Sequence, residues 1–164
     1  MTHPFVTQLW FARKEFLRCL EGVSTEDAEK FVGSMNCLSW ILGHLASQEQ
    51  YLWLVAAQEV CLFPDLDAQV GYGSPKTSPS WIEMQTCWNQ ITTGADQFLK
   101  TITGTTIGSR ISRKDTLSNE NVGKSLLRNI YHYWFHIGEA HAIRQILGHK
   151  NLPQFVGSLS EVNY

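Results

Sequence analysis

The sequence predicts an all-α protein built from four long helices, and three observations carry that prediction. Apolar residues recur three and four positions apart over separate stretches, near residues 4–21, 36–58, 79–103 and 118–147. The segments between these stretches are polar or rich in Gly and Pro and show no helical period. A chain of 164 residues with 43% hydrophobic residues, six tryptophans and eight phenylalanines can bury a sizeable core, and its length is that of one domain over 1–164.

Charge narrows the function. Thirteen basic and fifteen acidic residues leave a formal net charge of −2, and no basic run stands out, so neither nucleic acid nor an anionic membrane is expected as a partner. The first residues, MTHPFVTQLWFARKEF, lack the layout of a signal peptide, and no apolar run is long enough to span a bilayer. Cys19, Cys37, Cys61 and Cys87 are widely spaced and form no CxxC pair, which reads as reduced thiols in the cytoplasm.

Helix 1 is expected over roughly 4–21. Pro4 sits in its first turn, Phe5, Leu9, Phe16 and Leu20 follow the helical period, and Gly22 suits its end. Ser24 opens a short helical connector near 25–31. Helix 2 is expected to start near Ser34 or Asn36 and to run to about residue 58. Its buried face is read as Cys37, Trp40, Ile41, His44, Gln48, Tyr51 and Val55, with Glu49 and Gln50 off that face. Gly43 beside it would let another helix approach closely.

Residues 61–78 hold two prolines and two glycines and read as a long crossover without regular structure. At about 3.3 Å per extended residue, such a segment can run the length of a helix of about 22 residues, roughly 33 Å, and so join two parallel helices. Helix 3 is expected to begin with Ser78 as N-cap and Pro79 at its first position. It presents a seam of Trp81, Met84, Trp88, Ile91, Ala95, Phe98 and Ile102, and Gly104 ends it. Residues 104–118 read as a solvated connection in which Arg110, Arg113 and Lys114 form the nearest approach to a basic cluster. Helix 4 is expected from near Ser118 to Leu147, with Gly148 as its C′ residue. Leu127, Tyr131 and Trp134 make its back face apolar as well, which calls for a second burial surface, either a subunit partner or the C-terminal tail. Leu152, Phe155 and Val156 are too apolar to float free, so the tail is expected to pack.

The chemistry concentrates on helices 2 and 4. His132 and His136 are one turn apart on one face, and at about 100° per residue the same stripe continues to Glu139 and Ile143 and back to Ser125. His141 falls on the opposite face, and His3 and His149 sit at element ends, where exposure is expected. His44 looks into the core from helix 2. A single inward histidine is most often a hydrogen-bonded core residue. Three of them on two helices are a different matter, because burying them without partners is costly and one divalent cation satisfies all three. Three imidazoles leave an open coordination position, the pattern of a catalytic rather than a structural site, and imidazole suits Zn²⁺ or Ni²⁺ rather than Mg²⁺ or Ca²⁺. Glu139, one turn beyond His136, reads as a fourth ligand, an acceptor for an imidazole N–H, a general base, or an edge ion pair with Arg128 or Arg144. Cys37 lies two turns from His44, about 10 Å away, too far to share an ion.

The segments NCLSWILGHLASQEQYLW (36–53) and YHYWFHIGEAHAIRQILGH (131–149), with the trailing NLPQFVG (151–157), resemble the DinB superfamily, the DinB/YfiT-like metalloenzymes. The specific part is a Gly-His on helix 2 paired with an HxxxHxGE run on helix 4. The resemblance implies a four-helix bundle in up-down-down-up order with a long helix 2–helix 3 crossover, and a homodimer. It implies a metal triad of one histidine from helix 2 and two from helix 4, which by motif are His44, His132 and His136. Many members carry Gln where this chain has Glu139. Characterised relatives include thiol-dependent transferases and isomerases that use mycothiol, bacillithiol or glutathione.

The expectation is therefore a divalent-metal-binding protein acting as an enzyme on a small molecule. It would be either a thiol-dependent S-transferase or isomerase with a low-molecular-weight thiol, or a hydrolase in which the metal activates water. No Arg or Lys on an inner stripe marks a place for the carboxylates of such a thiol. The alternatives are a dimeric bundle that binds metal or ligand without turnover, and one whose histidines are only core polar groups.

Overall fold

In the computed structural model, which describes residues 2–113, 116–160 and 162, helix dominates and a single small hairpin interrupts it. The order is α1 (Pro4–Leu20), α2 (Thr25–Glu29), α3 (Leu38–Glu49), a π-helical segment (Gln50–Val55), α4 (Ala56–Gln58), α5 (Leu66–Val70), α6 (Trp81–Leu99), β1 (Arg110–Arg113), β2 (Thr116–Asn121) and α7 (Val122–Ile146). The expected helix 2 is thus α3, the π segment and α4 in continuous succession. No helix among the described residues is long and apolar enough to cross a membrane.

Helix ends follow local chemistry, with shifts from expectation of a few residues. The His3 ring accepts from the Phe5 N–H and Pro4 opens α1, while Ser24 caps α2 by accepting from Asp27. The N-cap of α3 is Cys37, which makes no side-chain cap bond, rather than Ser34 or Asn36. The cap of α6 is Ser80 rather than Ser78, whose hydroxyl instead donates to the Glu29 carbonyl, and α6 ends at Leu99, before Gly104. α7 starts at Val122 under Asn121, whose side chain accepts from Lys124, and Gly148 at φ +82° takes the expected left-handed position after its end.

The core lies between α1, α3, α6 and α7. Phe16 of α1 meets the ring of Tyr133 of α7 edge-on, and the Arg144 guanidinium of α7 donates to the Cys19 carbonyl of α1. Ser39 of α3 donates to the Pro79 carbonyl just before α6 at 2.6 Å, and further along the two helices Leu54 lies over Gly94. Gly43 does what was expected of it: a Cβ there would collide with Met84 Sδ of α6 and lie 3.2 Å from Val70 of α5. The expected single buried face of α3 is corrected. Trp40, Leu42, Leu45, Ala46, Glu49 and Gln50 are all buried, whereas Tyr51 is exposed. Two causes act together: Glu49 pairs with the buried Arg13 and Gln50 bonds the backbone of Leu62 and Phe63, and the π-helical turns rotate the following residues off the α-helical register. On α6 the expected seam is buried, apart from the half-buried Phe98.

Two connections differ from expectation. The crossover is not without regular structure: it contains α5, whose Leu66 and Val70 pack into the core one turn apart. Its start is pinned by Gln50, which accepts from the Leu62 and Phe63 N–H groups and donates to the Phe63 carbonyl. The solvated connection after α6 holds the antiparallel β1–β2 hairpin, with Arg110 opposite Asn121 and Arg113 opposite Thr116. Arg110 is exposed, and Lys114 lies outside the described residues. The tail packs, as expected, through Phe155, which lies 4.7 Å under the Arg18 guanidinium, and through Gly157, whose N–H donates to Glu15. Leu152 is half-buried, but Val156, expected to pack, is exposed.

Candidate metal centre

α3 and α7 bring His44, His132 and His136 together. The ring nitrogens offered by the three lie within 4.8 Å of one another. His132 Nε2 is 3.2 Å from His44 Nε2 and 3.0 Å from His136 Nε2. His136 is buried and the other two are half-buried, so the group sits at the edge of the core rather than in its centre. Trp40, one turn before His44, stacks on its ring at 4.7 Å, and Phe135 meets the His136 ring edge-on at 5.0 Å. The indole nitrogen of Trp40 is a buried donor without a partner among the described residues.

The outward nitrogen of each ring faces an oxygen. His44 Nδ1 is 2.8 Å from the Val70 carbonyl, His132 Nδ1 is 2.6 Å from Gln48 Oε1, and His136 Nδ1 is 2.7 Å from Glu139 Oε2. A carbonyl, a carboxamide oxygen and a carboxylate can only accept, so each Nδ1 carries a hydrogen, and a ring that carries that hydrogen alone turns a bare Nε2 inward. Burial, then the neighbouring His136 and His44, push the His132 pKa down to about 3. Burial also lowers that of His44, against the opposing bond to Val70.

Bare lone pairs 3.0–3.2 Å apart repel unless something positive lies between them. A tetrahedral transition-metal ion with metal–nitrogen bonds of 2.0–2.1 Å separates its donor atoms by about 3.3 Å, so the donor set and its spacing fit such an ion. Each imidazole also has the outward acceptor that metal-binding histidines use to fix ring orientation.

The remaining candidates fall into place around this group. Glu139 accepts from His136 and is not an edge ion pair, because Arg128 pairs with Glu120 and Arg144 bonds the Cys19 carbonyl and His149. Cys37 is buried near Thr77 and Ser78, away from the triad. His141 packs on Phe155 on the other side of α7. His149, expected to be exposed, is half-buried between Arg144 and Asp27. The sequence reading gave no role to Gln48, Asn129, Trp53 or the Val70 carbonyl. The first three form a continuous hydrogen-bonded set against His132. A signal for Gln48 was present, since it is a polar residue one turn from His44 on a stripe that the spacing reads as inward-facing. The Val70 carbonyl had none, because only the packing of α5 on α3 brings it to His44.

The sequence profile of the DinB superfamily matches residues 8–140, a span that contains all three histidines and Glu139. No curated protein matches the chain.

Proposed function

The chain belongs to the DinB superfamily, and from that premise we propose that His44, His132 and His136 hold a divalent transition-metal ion, Zn²⁺ or Ni²⁺, through their Nε2 atoms. The observation that carries this reading is the convergence of three imidazoles whose outward nitrogens all face hydrogen-bond acceptors. We further propose that the protein is an enzyme acting on a small molecule, as a thiol-dependent S-transferase or isomerase or as a hydrolase. When bound, the ion supplies a Lewis acid that lowers the pKa of a thiol or of water.

The chain's own residues do the rest. Val70, Gln48 and Glu139 hold the three rings in one tautomer and orientation. Glu139 accepts the hydrogen bond from His136 Nδ1–H and thereby makes the His136 Nε2 lone pair a stronger metal ligand. Trp40 stacks on the His44 ring and holds its plane. A binding protein without turnover is the second reading, favoured by the neutral or anionic character of the ring partners found among the described residues, Trp40, Phe135, Val70, Gln48 and Glu139.

The architecture proposed with this function is a single four-helix domain in up-down-down-up order. Its support is the sequence of contacts: Ser39 and Gly43 of α3 and Leu54 of the π-helical segment meet Pro79, Met84 and Gly94 in the same direction, whereas His44 and Trp53 meet His136 and Asn129 in opposite directions. A homodimer is proposed because Tyr131 and Phe135 are exposed on α7 at one-turn spacing, 64% and 68%. Four free thiols accord with a cytoplasmic location.

Elemental analysis of purified untagged protein and of His132→Ala tests the central claim. One transition-metal ion per chain, lost in the variant, is the expected result. A wild type that stays metal-free after incubation with Zn²⁺ or Ni²⁺ overturns it.

A further inference from the structure

The tautomer of His132 is set from a distance. Trp53 lies in the π-helical segment, and its indole nitrogen is 2.8 Å from Asn129 Oδ1. Asn129 Nδ2 is 3.0 Å from Gln48 Oε1, and the same Oε1 is 2.6 Å from His132 Nδ1. An indole N–H can only donate, so the Asn129 atom facing it must be the oxygen. The Asn129 amide nitrogen then faces Gln48, so the Gln48 atom there must be its oxygen. That oxygen cannot donate, so His132 must. Trp53 and Asn129 are fully buried, so turning the Asn129 amide round would set donor against donor where water cannot repair the fault, and turning the half-buried Gln48 amide would set its nitrogen against that of Asn129.

We propose that Trp53, Asn129 and Gln48 form a directional hydrogen-bond relay that commits His132 to carrying its hydrogen on Nδ1, and so keeps its Nε2 open toward His44 and His136. These three are positioning residues, since none of them touches the point where the three Nε2 atoms meet. The π-helical turns have a purpose in this arrangement, because they place Trp53 on the Asn129 side of the helix. As an account of metal affinity the relay rests on the metal reading above; as an account of the tautomer it stands by itself.

One near-isosteric change reverses the relay. In Asn129→Asp both carboxylate oxygens accept, one from Trp53 and one from Gln48. Gln48 must then turn its amide nitrogen toward the pair, and His132 must accept at Nδ1 and carry its hydrogen on Nε2. Gln48→Glu is the opposite control, because a carboxylate oxygen still accepts from both Asn129 and His132.

The test is long-range ¹H–¹⁵N correlation on metal-free protein labelled with ¹⁵N-histidine, followed by Zn²⁺ titration of the same samples. The wild type and Gln48→Glu are expected to show His132 with hydrogen on Nδ1. Asn129→Asp is expected to show it on Nε2 and to bind Zn²⁺ about 10- to 100-fold more weakly. Hydrogen on Nε2 in the wild type, or an unchanged tautomer in a folded Asn129→Asp, overturns the relay. Should Asn129→Asp fail to fold, Trp53→Phe removes only the first donor and is expected to give a mixture of the two tautomers; a single Nδ1–H species there overturns the relay equally. A tautomer switch in protein that binds no Zn²⁺ at all leaves the relay standing and removes the metal reading.

Discussion

Two polar clusters lie side by side between α3 and α7, and they are built in opposite ways. Glu49 and Tyr133 belong to one; Gln48 and His132, their immediate neighbours in sequence, belong to the other. In the first cluster donors and acceptors balance. Arg13 donates to Glu49 at 2.7 Å through Nε and again through its terminal nitrogen, and to Asp96 at 2.7 Å. Tyr133 donates to Glu49 at 2.7 Å and accepts from Trp88 at 2.8 Å, while Trp10 donates to Asp96 at 2.9 Å. Burial works against the Arg13 charge, but the adjacent Glu49 carboxylate prevails and raises the Arg13 pKa; for Tyr133 burial itself raises the pKa. In the second cluster every outward nitrogen is satisfied and the inward ones face only one another. A closed network ties helices together. An open one, with three imidazole nitrogens converging, has the donor arrangement that the proposed cation would complete.

The largest expected effect comes from opening the closed network. Glu49→Ala leaves the buried Arg13 with the partly exposed Asp96 in place of its buried carboxylate partner and should cost about 3 kcal/mol, lowering the Tm by roughly 10 °C for a chain of this size. Calorimetry reads this, and the surviving folded protein should still bind metal with one site per chain. A Tm within about 2 °C of wild type would show that the cluster is not what holds α1 to α3.

The converse change separates the two clusters most cleanly. In metal-free protein His132→Ala should alter stability by no more than about 1 kcal/mol, since it removes a half-buried ring that repels its neighbours. Zn²⁺ at about 100 times its Kd should stabilise the wild type by about 2.7 kcal/mol and the variant hardly at all, with EDTA reversing the gain. Equal Zn²⁺ stabilisation of both proteins would place the ion elsewhere.

Tyr133→Phe sits on the boundary. It leaves the Trp88 donor and one face of Glu49 unpaired, for an expected loss of about 1–3 kcal/mol by urea unfolding. Metal stoichiometry should be unchanged; a loss of metal would mean that the clusters are coupled through α7.

The smallest effect concerns the tail. The Arg18 bond, helped by the Gly157 N–H, holds the Glu15 carboxyl below its ordinary pKa, against the opposing pull of burial. Stability from a lowered acid pKa is present above the unfolded value, near 4.3, and is lost as pH falls through the folded value. Below about pH 4 the tail should therefore loosen first, seen as faster amide exchange at Gly157, and Glu15→Gln should remove this pH dependence.

Much of the fold was legible because burial writes a period into the chain. The four long helical stretches were recognisable from apolar spacing alone, and so was the stripe that puts His132, His136 and Glu139 on one side of α7. Helix ends slipped because competing caps are chemically equal: Ser78 and Ser80 both suit the start of α6, and tertiary contact with the Glu29 carbonyl takes Ser78 away. The hairpin of β1 and β2 and the short α5 were illegible for a related reason, since each is too short to show a period and is held by its neighbours. Glu49 was read as a surface residue because nothing local reveals that Arg13, 36 positions earlier, will lie against it.

By itself the sequence determined which residue types lie on which face of each long helix, and so which imidazoles could meet. That information is local, because helical geometry converts spacing directly into direction. Only the tertiary structure decided that they do meet, that the Val70 carbonyl, Gln48 and Glu139 orient them, and that a neighbouring set of buried polar groups closes on itself instead. Those outcomes depend on which helices pack together and in what register, and hydrogen-bond partners tens of residues apart in sequence are chosen by that packing rather than by any local pattern.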